Sequence, residues 1–175
     1  MKTLIVILIV LLPTASLFAQ RTSIPDVNLR DLDGNLISAD EISNSGDPTL
    51  LIFWKASSGK CCENLETFRS VWEETLVGYG INMVAICIDC NGSWTQVKPI
   101  VYGNNWDFET YIDVNGDFKR ALNVGDAPCT MLFDGDQNLL CRMNSVCAGS
   151  DEFICANILG QLNIHLTNNN YQAEK

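Results

Sequence analysis

Histidine and positive charge are scarce in this chain. It has one histidine in 175 residues, and its 11 lysines and arginines are outnumbered by 21 aspartates and glutamates, which leaves a net charge of -10 at pH 7. Nucleic acids and anionic membrane surfaces are recognised by basic patches, and no basic run occurs here. The lone histidine, His165, lies near the C-terminal tail, so no zinc-ligand set is apparent. We therefore expect no nucleic acid partner, no metal ion and no cofactor.

Long apolar runs are confined to the first twenty residues. The run from Leu4 to Leu12 is followed by Ser16-Leu17-Phe18-Ala19-Gln20, which is typical of a secretory signal peptide cleaved after Ala19. The run is shorter than the roughly 18 to 20 residues that span a bilayer. We predict a signal peptide over residues 1–19, one domain over 20–166 and a disordered tail over 167–175. The mature protein is then periplasmic or secreted, and it is membrane-bound only if the first segment stays uncleaved.

The eight cysteines do not form the pattern of a disulfide framework. Export leads to an oxidising compartment, where disulfides are common. Cys87, Cys129 and Cys141 nevertheless lie in apolar, strand-like runs, where cysteine behaves as a small buried hydrophobe. Two pairings stay open: Cys87-Ile88-Asp89-Cys90 as a functional pair, and Cys141 with Cys147 as a structural disulfide.

Hydrophobic patterning predicts strands that alternate with helices and a closing hairpin. A hairpin around Asp33-Gly34 leads in, and the continuous apolar run from Thr49 to Trp54 predicts a strand covered on both faces. The other predicted elements are helices over Glu63–Val77, Ser93–Val101, Asp117–Leu122 and Asp151–His165, and strands over Ile81–Asp89, Phe108–Ile112, Cys129–Phe133 and Asn138–Asn144. This order predicts a three-layer α/β/α sandwich with a mixed central sheet and an N-terminal β-hairpin.

The strand Thr49–Trp54 continues through Lys55-Ala56-Ser57-Ser58-Gly59-Lys60-Cys61-Cys62 into a predicted helix. A Cys-x-x-Cys at such a helix start is the redox dithiol of thioredoxin-like proteins, and here the same positions hold Ser58-Gly59-Lys60-Cys61. Serine is a strong N-cap residue, so Ser58 is expected to cap the helix.

The whole mature domain resembles the bacterial periplasmic disulfide reductases of the TlpA/ResA type, within the AhpC-TSA/redoxin-like proteins of thioredoxin-like fold. The resemblance rests on Phe53-Trp54-Lys55-Ala56, on Val84-Ala85-Ile86-Cys87-Ile88-Asp89 and on the segment Val124 to Asp134. It implies thiol-disulfide exchange with partner proteins. It also implies that Pro128 is a cis-proline facing the active site, with Ala127 and Trp54 as further substrate-binding residues.

The departures from that family concern the catalytic positions. The exposed nucleophile is replaced by Ser58, whose hydroxyl is too weakly acidic to attack a disulfide without a base. An acidic residue common three positions after the second cysteine is Asn64 here. Cys61 occupies the resolving position, and Cys62, one residue on, is expected to be more exposed, with a thiolate favoured by the helix N-terminus and by Lys60. Cys129 could also approach Cys61 if its side chain turns that way.

Two functions follow from this pattern. The chain is either a thiol-disulfide oxidoreductase that acts on partner thiols and disulfides through Cys61 or Cys62, or a non-catalytic module that binds extended peptide segments at the Pro128 loop. A peroxidase-like redoxin is a weaker third hypothesis, because its reactive cysteine would occupy the position of Ser58. Three acidic turns, at Asp31, Asp113 and Asp134, superficially resemble calcium loops but lack the required glycine and glutamate spacing, so we expect them to be turns.

Overall fold

A computed structural model of the protein describes residues 22–42, 46–89, 93–143 and 153–163. The predicted signal peptide and C-terminal tail lie outside the described residues. So do Cys90 and Cys147, and with them the two cysteine pairings left open above. Within the described ranges, none of the helices combines the length and apolar character that a membrane crossing requires.

The described residues form seven strands and four helices. The strands are β1 (Asn28–Arg30), β2 (Leu36–Ser38), β3 (Thr49–Trp54), β4 (Asn82–Cys87), β5 (Glu109–Ile112), β6 (Cys129–Phe133) and β7 (Leu139–Met143). The helices are α1 (Gly59–Glu74), α2 (Val97–Gly103), α3 (Asp117–Ala121) and α4 (153–163). Short 3₁₀ turns occupy Ala39–Glu41, Leu76–Tyr79 and Ser93–Gln96.

All seven strands belong to one mixed sheet in the order β2-β1-β5-β4-β3-β6-β7. β3 and β5 run parallel to β4, whereas β6 is antiparallel to β3 and to β7. Apolar residues of the helices pack on both faces, which confirms the predicted α/β/α sandwich with a mixed sheet.

β3 is the central strand, and every one of its six residues is buried. Leu51 and Phe53 point to the face that carries α3, while Leu50, Ile52 and Trp54 point to the face that carries α1, α2 and α4. The prediction of a strand covered on both sides is therefore confirmed. Its unbroken apolar run is the pattern expected where helices cover both faces of a sheet.

The N-terminal hairpin is not a separate appendage. β1 pairs with β2 around Asp33-Gly34 as predicted, with Gly34 at φ +89°, and Arg30 also pairs with Ile112 of β5. The residues before β1 begin at the opposite edge of the sheet, where Ser23 bridges Asn138 next to β7. The lead-in therefore crosses one face of the sheet, with Ile24 buried in the core beneath it.

The helix that follows β3 begins one turn earlier than its apolar spacing predicts. α1 starts at Gly59 rather than Glu63, because the first turn contains Gly59 and Lys60, which carry no apolar signal. The helix ends at Glu74, and the 3₁₀ turn that follows is closed by Gly80 at φ +68°. Pro99 is the third residue of α2, where its missing N–H costs no helical hydrogen bond.

The three acidic turns are held by their own aspartates. Asp31 accepts backbone N–H groups of Asp33 and Asn35, Asp113 those of Phe118 and Lys119, and Asp134 those of Asp136 and Asn138. Asp31 and Asp134 accept the N–H two residues on, as in Asx turns, whereas Asp113 accepts N–H groups of the first turn of α3. Among the described residues, no group of three or more histidine, cysteine or carboxylate side chains lies together as a metal site would require.

The contact between Phe53 and Phe118 anchors α3 to the sheet. The two ring centroids are 5.7 Å apart, and both side chains are fully buried. We expect Phe118→Ala to lower the free energy of unfolding by about 3–5 kcal/mol, because it removes a buried aromatic ring and leaves a cavity. Urea denaturation followed by circular dichroism measures this loss. Tyr79→Ala, at a side chain that is 63% exposed, is the matched control and should change stability little. Equal effects of the two substitutions would contradict this account of the core.

Candidate functional site

Ser58 caps the N-terminus of α1. Its backbone is extended, at φ -117° and ψ 109°, and its Oγ accepts a hydrogen bond from the backbone N–H of Cys61 at 3.4 Å. Its carbonyl oxygen accepts from the N–H groups of Cys61 and Cys62 at 3.0 and 3.2 Å. The predicted capping role is confirmed. The hydroxyl at the position where the resemblance implies a nucleophile thus accepts a hydrogen bond at the helix start.

The two cysteines that follow differ in exposure. The Cys61 side chain is buried, with 1% of its surface exposed, whereas Cys62 is partly exposed and packs against the edge of the core. Burial raises the pKa of the Cys62 thiol above its usual value of 9.0, and neighbouring Cys61 and Glu63 raise it further. The expected greater exposure of Cys62 is confirmed. The expectation that the helix N-terminus and Lys60 would favour its thiolate is wrong, because burial outweighs them.

Cys129 cannot assist Cys61, because the sheet separates them. Cys129 is the register partner of Phe53 on β3, and both side chains belong to the core layer on the α3 side. Cys61 belongs to the opposite layer, under α1. The alternative in which Cys129 turns toward Cys61 is therefore wrong.

The peptide bond between Ala127 and Pro128 is cis, in agreement with the resemblance. The pairing of Phe53 with Cys129 places this bond beside the end of β3, next to the turn that leads into α1. The backbone N–H of Ala127 donates to its neighbour's carboxylate, Asp126 Oδ1, at 2.8 Å. The loop and the capped helix start therefore form two walls of one site.

Lys55 links the two walls electrostatically. Its Nζ lies 2.5 Å from Asp126 Oδ1, so the residue after β3 is tied to the Pro128 loop. The hydrogen bond to Asp126 is the main cause that raises the pKa of Lys55, with the charges of Asp89 and Cys61 adding to it. The same contact lowers the pKa of Asp126. Both groups are therefore charged at neutral pH.

The carboxylate of Asp89 holds the turn between β3 and α1 through two hydrogen bonds from Ser57. It lies just beyond β4 with 8% of its surface exposed. One carboxylate oxygen accepts from the backbone N–H of Ser57 at 2.8 Å, and the other accepts from the Ser57 hydroxyl at 3.1 Å. Functional groups commonly gather beyond the carboxyl ends of neighbouring parallel strands, where this turn lies.

Trp54 is fully buried, so the structure does not place it where a bound segment would touch it. The indole of Trp106 packs edge-on against it with ring centroids 5.7 Å apart. Because its side chain is buried, Trp54 does not make the substrate-binding contact that the resemblance implies. The Trp54 Nε1 and the amide nitrogen of buried Asn64 have no hydrogen-bond partner among the described residues.

A groove runs along the cis-proline loop on the surface of this site. It has a volume of about 390 Å³ and is bounded by Lys60, by residues of the loop 123–128 and by Arg142. We call it the Pro128 groove. Ala127 and Pro128, two of the residues predicted to bind substrate, line it, whereas Trp54 does not.

Comparison with known proteins identifies the family. The sequence profile of the AhpC/TSA family matches residues 21–141. The chain belongs to the AhpC/TSA family. No curated protein matches the sequence significantly. Within this family, the finer assignment to the TlpA/ResA type stays a prediction.

Solved structures similar to this AhpC/TSA protein share its thioredoxin-like fold. An uncharacterized thioredoxin-like protein from Porphyromonas gingivalis has 26% identity and a TM-score of 0.68, over 82% of this chain and 94% of that one. A putative thiol:disulfide interchange protein DsbE from Chlorobium tepidum has 19% identity and a TM-score of 0.67, over 81% and 96%. A secreted Mycobacterium tuberculosis disulfide oxidoreductase homologous to E. coli DsbE has 20% identity and a TM-score of 0.59, over 77% and 96%. The predicted thioredoxin-like fold is confirmed.

Sequence reasoning missed the side chains that join the elements of the site. Lys55, Asp89 and Asp126 each lie within a motif quoted for the resemblance, but their pairing needs the fold: Lys55 and Asp126 are 71 residues apart. The available signal was the position of Lys55 directly after β3 and of Asp89 two residues after β4, since the two strands are parallel neighbours. Arg142 carried no signal, because it lies within the predicted closing strand.

The capping hydrogen bond of Ser58 can be tested by truncation. We expect Ser58→Ala to lower the free energy of unfolding by about 1 kcal/mol, because the first turn of α1 loses its side-chain acceptor. Ser70→Ala, in the middle of the same helix, should lower it by less, since alanine has the better helix propensity. Urea denaturation of both variants measures the difference. No loss at Ser58 would show that its Oγ contributes nothing to the helix start.

The raised pKa of Cys62 predicts its reactivity. Below the pKa of a thiol, the thiolate fraction grows about tenfold per pH unit, and only the thiolate is alkylated. We expect the rate of iodoacetamide labelling at Cys62 to rise continuously from pH 7 to pH 8.5 without a plateau. Stopped time courses analysed by mass spectrometry measure this rate, and Cys62→Ala identifies the labelled position. A plateau below pH 8 would contradict the raised pKa.

Proposed function

We propose that this chain is an exported AhpC/TSA-family protein that binds extended segments of partner proteins along the Pro128 groove and does not carry out the two-cysteine redox cycle. The observation that carries the proposal is the role of Ser58: at the position where the family resemblance expects the nucleophile, a hydroxyl caps α1 by accepting from the N–H of Cys61. No base contacts this hydroxyl among the described residues, and an unactivated serine does not attack disulfides.

Three further features support loss of turnover. Cys61 is buried beneath the helix start, so a partner disulfide cannot reach its sulfur without local opening. The pKa of Cys62 is raised, which leaves little thiolate at neutral pH. Asn64, where many relatives of the predicted type carry an acid, cannot shuttle a proton, and it is itself buried.

The binding part of the proposal rests on the loop that remains. Ala127 and Pro128 keep the cis conformation beside the helix start, and they line an open groove. The N–H of Ala127 is already bound by Asp126 and Pro128 has none, so an extended segment would donate its own N–H groups to backbone carbonyl oxygens of this loop, with side-chain contacts for specificity. Export is supported by the N-terminal sequence alone, and the described residues do not include it.

A second candidate is single-thiol exchange at Cys62, favoured by its partial exposure in the first turn of α1. In this reaction the Cys62 thiolate attacks a partner disulfide, one partner sulfur leaves as a thiolate, and a mixed disulfide forms. Release requires a second thiol, which a low-molecular-weight thiol would supply, since a Cys61–Cys62 disulfide between adjacent residues is strained.

An activity assay separates the two candidates. We expect the wild-type mature domain to show no catalysed reduction of a model disulfide in the presence of a low-molecular-weight thiol, whereas Ser58→Cys restores a Cys-x-x-Cys and gains measurable turnover. Ser57→Cys is the matched control, because it adds a thiol at the wrong spacing and should stay inactive.

The same assay can overturn the proposal. Wild-type turnover as fast as that of Ser58→Cys would contradict it, and loss of that turnover in Cys62→Ala would establish the single-thiol route instead. A third outcome is inactivity of every variant although mass spectrometry detects a disulfide between Cys61 and the thiol introduced by Ser58→Cys. That result would show that the absence of turnover has a further cause besides Ser58, and Asn64→Glu is the first substitution to test.

A further inference from the structure

We infer that the Pro128 groove selects extended partner segments that carry carboxylate side chains. The inference rests on the proposed function and adds the chemistry of the ligand to it. Its basis is the charge of the groove, which is opposite in sign to that of the whole chain.

Two cations form the sides of the groove. Lys60, in the first turn of α1, is exposed and forms no ion pair with any described residue. The Arg142 guanidinium donates to the backbone carbonyl oxygens of Leu122 and Asn123, and no described carboxylate pairs with it. Carbonyl oxygens hold the guanidinium in place without cancelling its charge. The groove is therefore lined by one guanidinium held by carbonyl oxygens and by one exposed lysine, and no described carboxylate pairs with either.

The single carboxylate of the groove is already neutralised. Asp126 is bound by Lys55 at 2.5 Å and accepts the N–H of Ala127 at 2.8 Å. The charge of Lys119 also acts on Asp126 and contributes to the lowering of its pKa. With Asp126 compensated by Lys55, the charges of Lys60 and Arg142 leave the lining of the groove positive.

The remainder of the molecule is strongly acidic, with a net charge of -10 for the full chain. Three other described basic side chains, Arg69, Lys98 and Arg120, pair with carboxylates. Arg30, which donates to the carbonyl oxygen of Gly34, lines a different pocket that also contains Asp117. An acidic segment is thus repelled by most of the surface and attracted most strongly where Lys60 and Arg142 line the same groove. Such an arrangement favours one docking orientation and excludes competing contacts.

Peptide binding tests the inference. Three nine-residue peptides with a neutral dye differ only at two positions that flank a central serine, where they carry glutamate, glutamine or lysine. Fluorescence anisotropy at 50 mM salt measures their affinity for the mature domain. We expect the glutamate peptide to bind about fivefold tighter than the glutamine peptide and the lysine peptide to bind weakest, with the preference reduced at 300 mM salt.

Charge reversal locates the preference on the groove. Lys60→Glu should abolish the advantage of the glutamate peptide, whereas Lys98→Glu, the same change at another exposed lysine, should preserve it. Gly125→Trp adds bulk to the groove at a position where an added Cβ meets no atom within 4 Å, and it should weaken all three peptides. Urea denaturation of each variant shows that the fold is retained.

The remaining outcomes distinguish this inference from the proposed function. Equal affinity for the three peptides, lost in Gly125→Trp, would overturn charge selection and leave binding at the groove intact. A glutamate preference unchanged by Lys60→Glu and Gly125→Trp would overturn both, because the site would then lie elsewhere. Absence of binding by all three peptides would overturn the inference, and the disulfide-reduction assay would then decide the catalytic part of the proposed function by itself.

Discussion

The pairing of β3 with its two neighbours positions everything else in the site. All six of its residues pair in register with β4 on one side, and the first five, Thr49 to Phe53, pair with β6 on the other. The parallel pairing brings Asp89 under the turn that follows Trp54, and the antiparallel pairing brings the cis bond of Pro128 alongside it. A shift of one residue in either register would exchange the two faces of the strand and disperse these groups.

The architecture was predictable from local pattern, whereas the contacts of the site were not. The unbroken apolar run of β3 and the Asp33-Gly34 turn each carry their structural signal within a few residues. The raised pKa of Cys62 depends instead on how the core closes around the first turn of α1, and the burial of Trp54 depends on Trp106, which comes from the distant segment before β5. Tertiary packing of this kind leaves no local signature in the sequence.

The start of α1 does not require a cysteine at the position of Ser58. The same backbone geometry that would lower the pKa of a cysteine at a helix N-terminus also favours a serine as a cap, so the exchange of one for the other preserves the helix. Lys55 and Asp126 maintain the relation between the helix start and the Pro128 loop without any contribution from sulfur. The shape of the groove is therefore independent of the thiols.

The separation of Cys61 and Cys129 by the sheet has a consequence for oxidation during folding. The two sulfurs are in layers divided by hydrogen-bonded strands, so the folded chain cannot join them. A crosslink between these positions would form only in molecules that had not yet assembled β3 against β6. Once β3 has paired with β6, a disulfide between Cys61 and Cys129 can no longer form. Any molecule that carries this disulfide was therefore oxidised before its sheet had assembled.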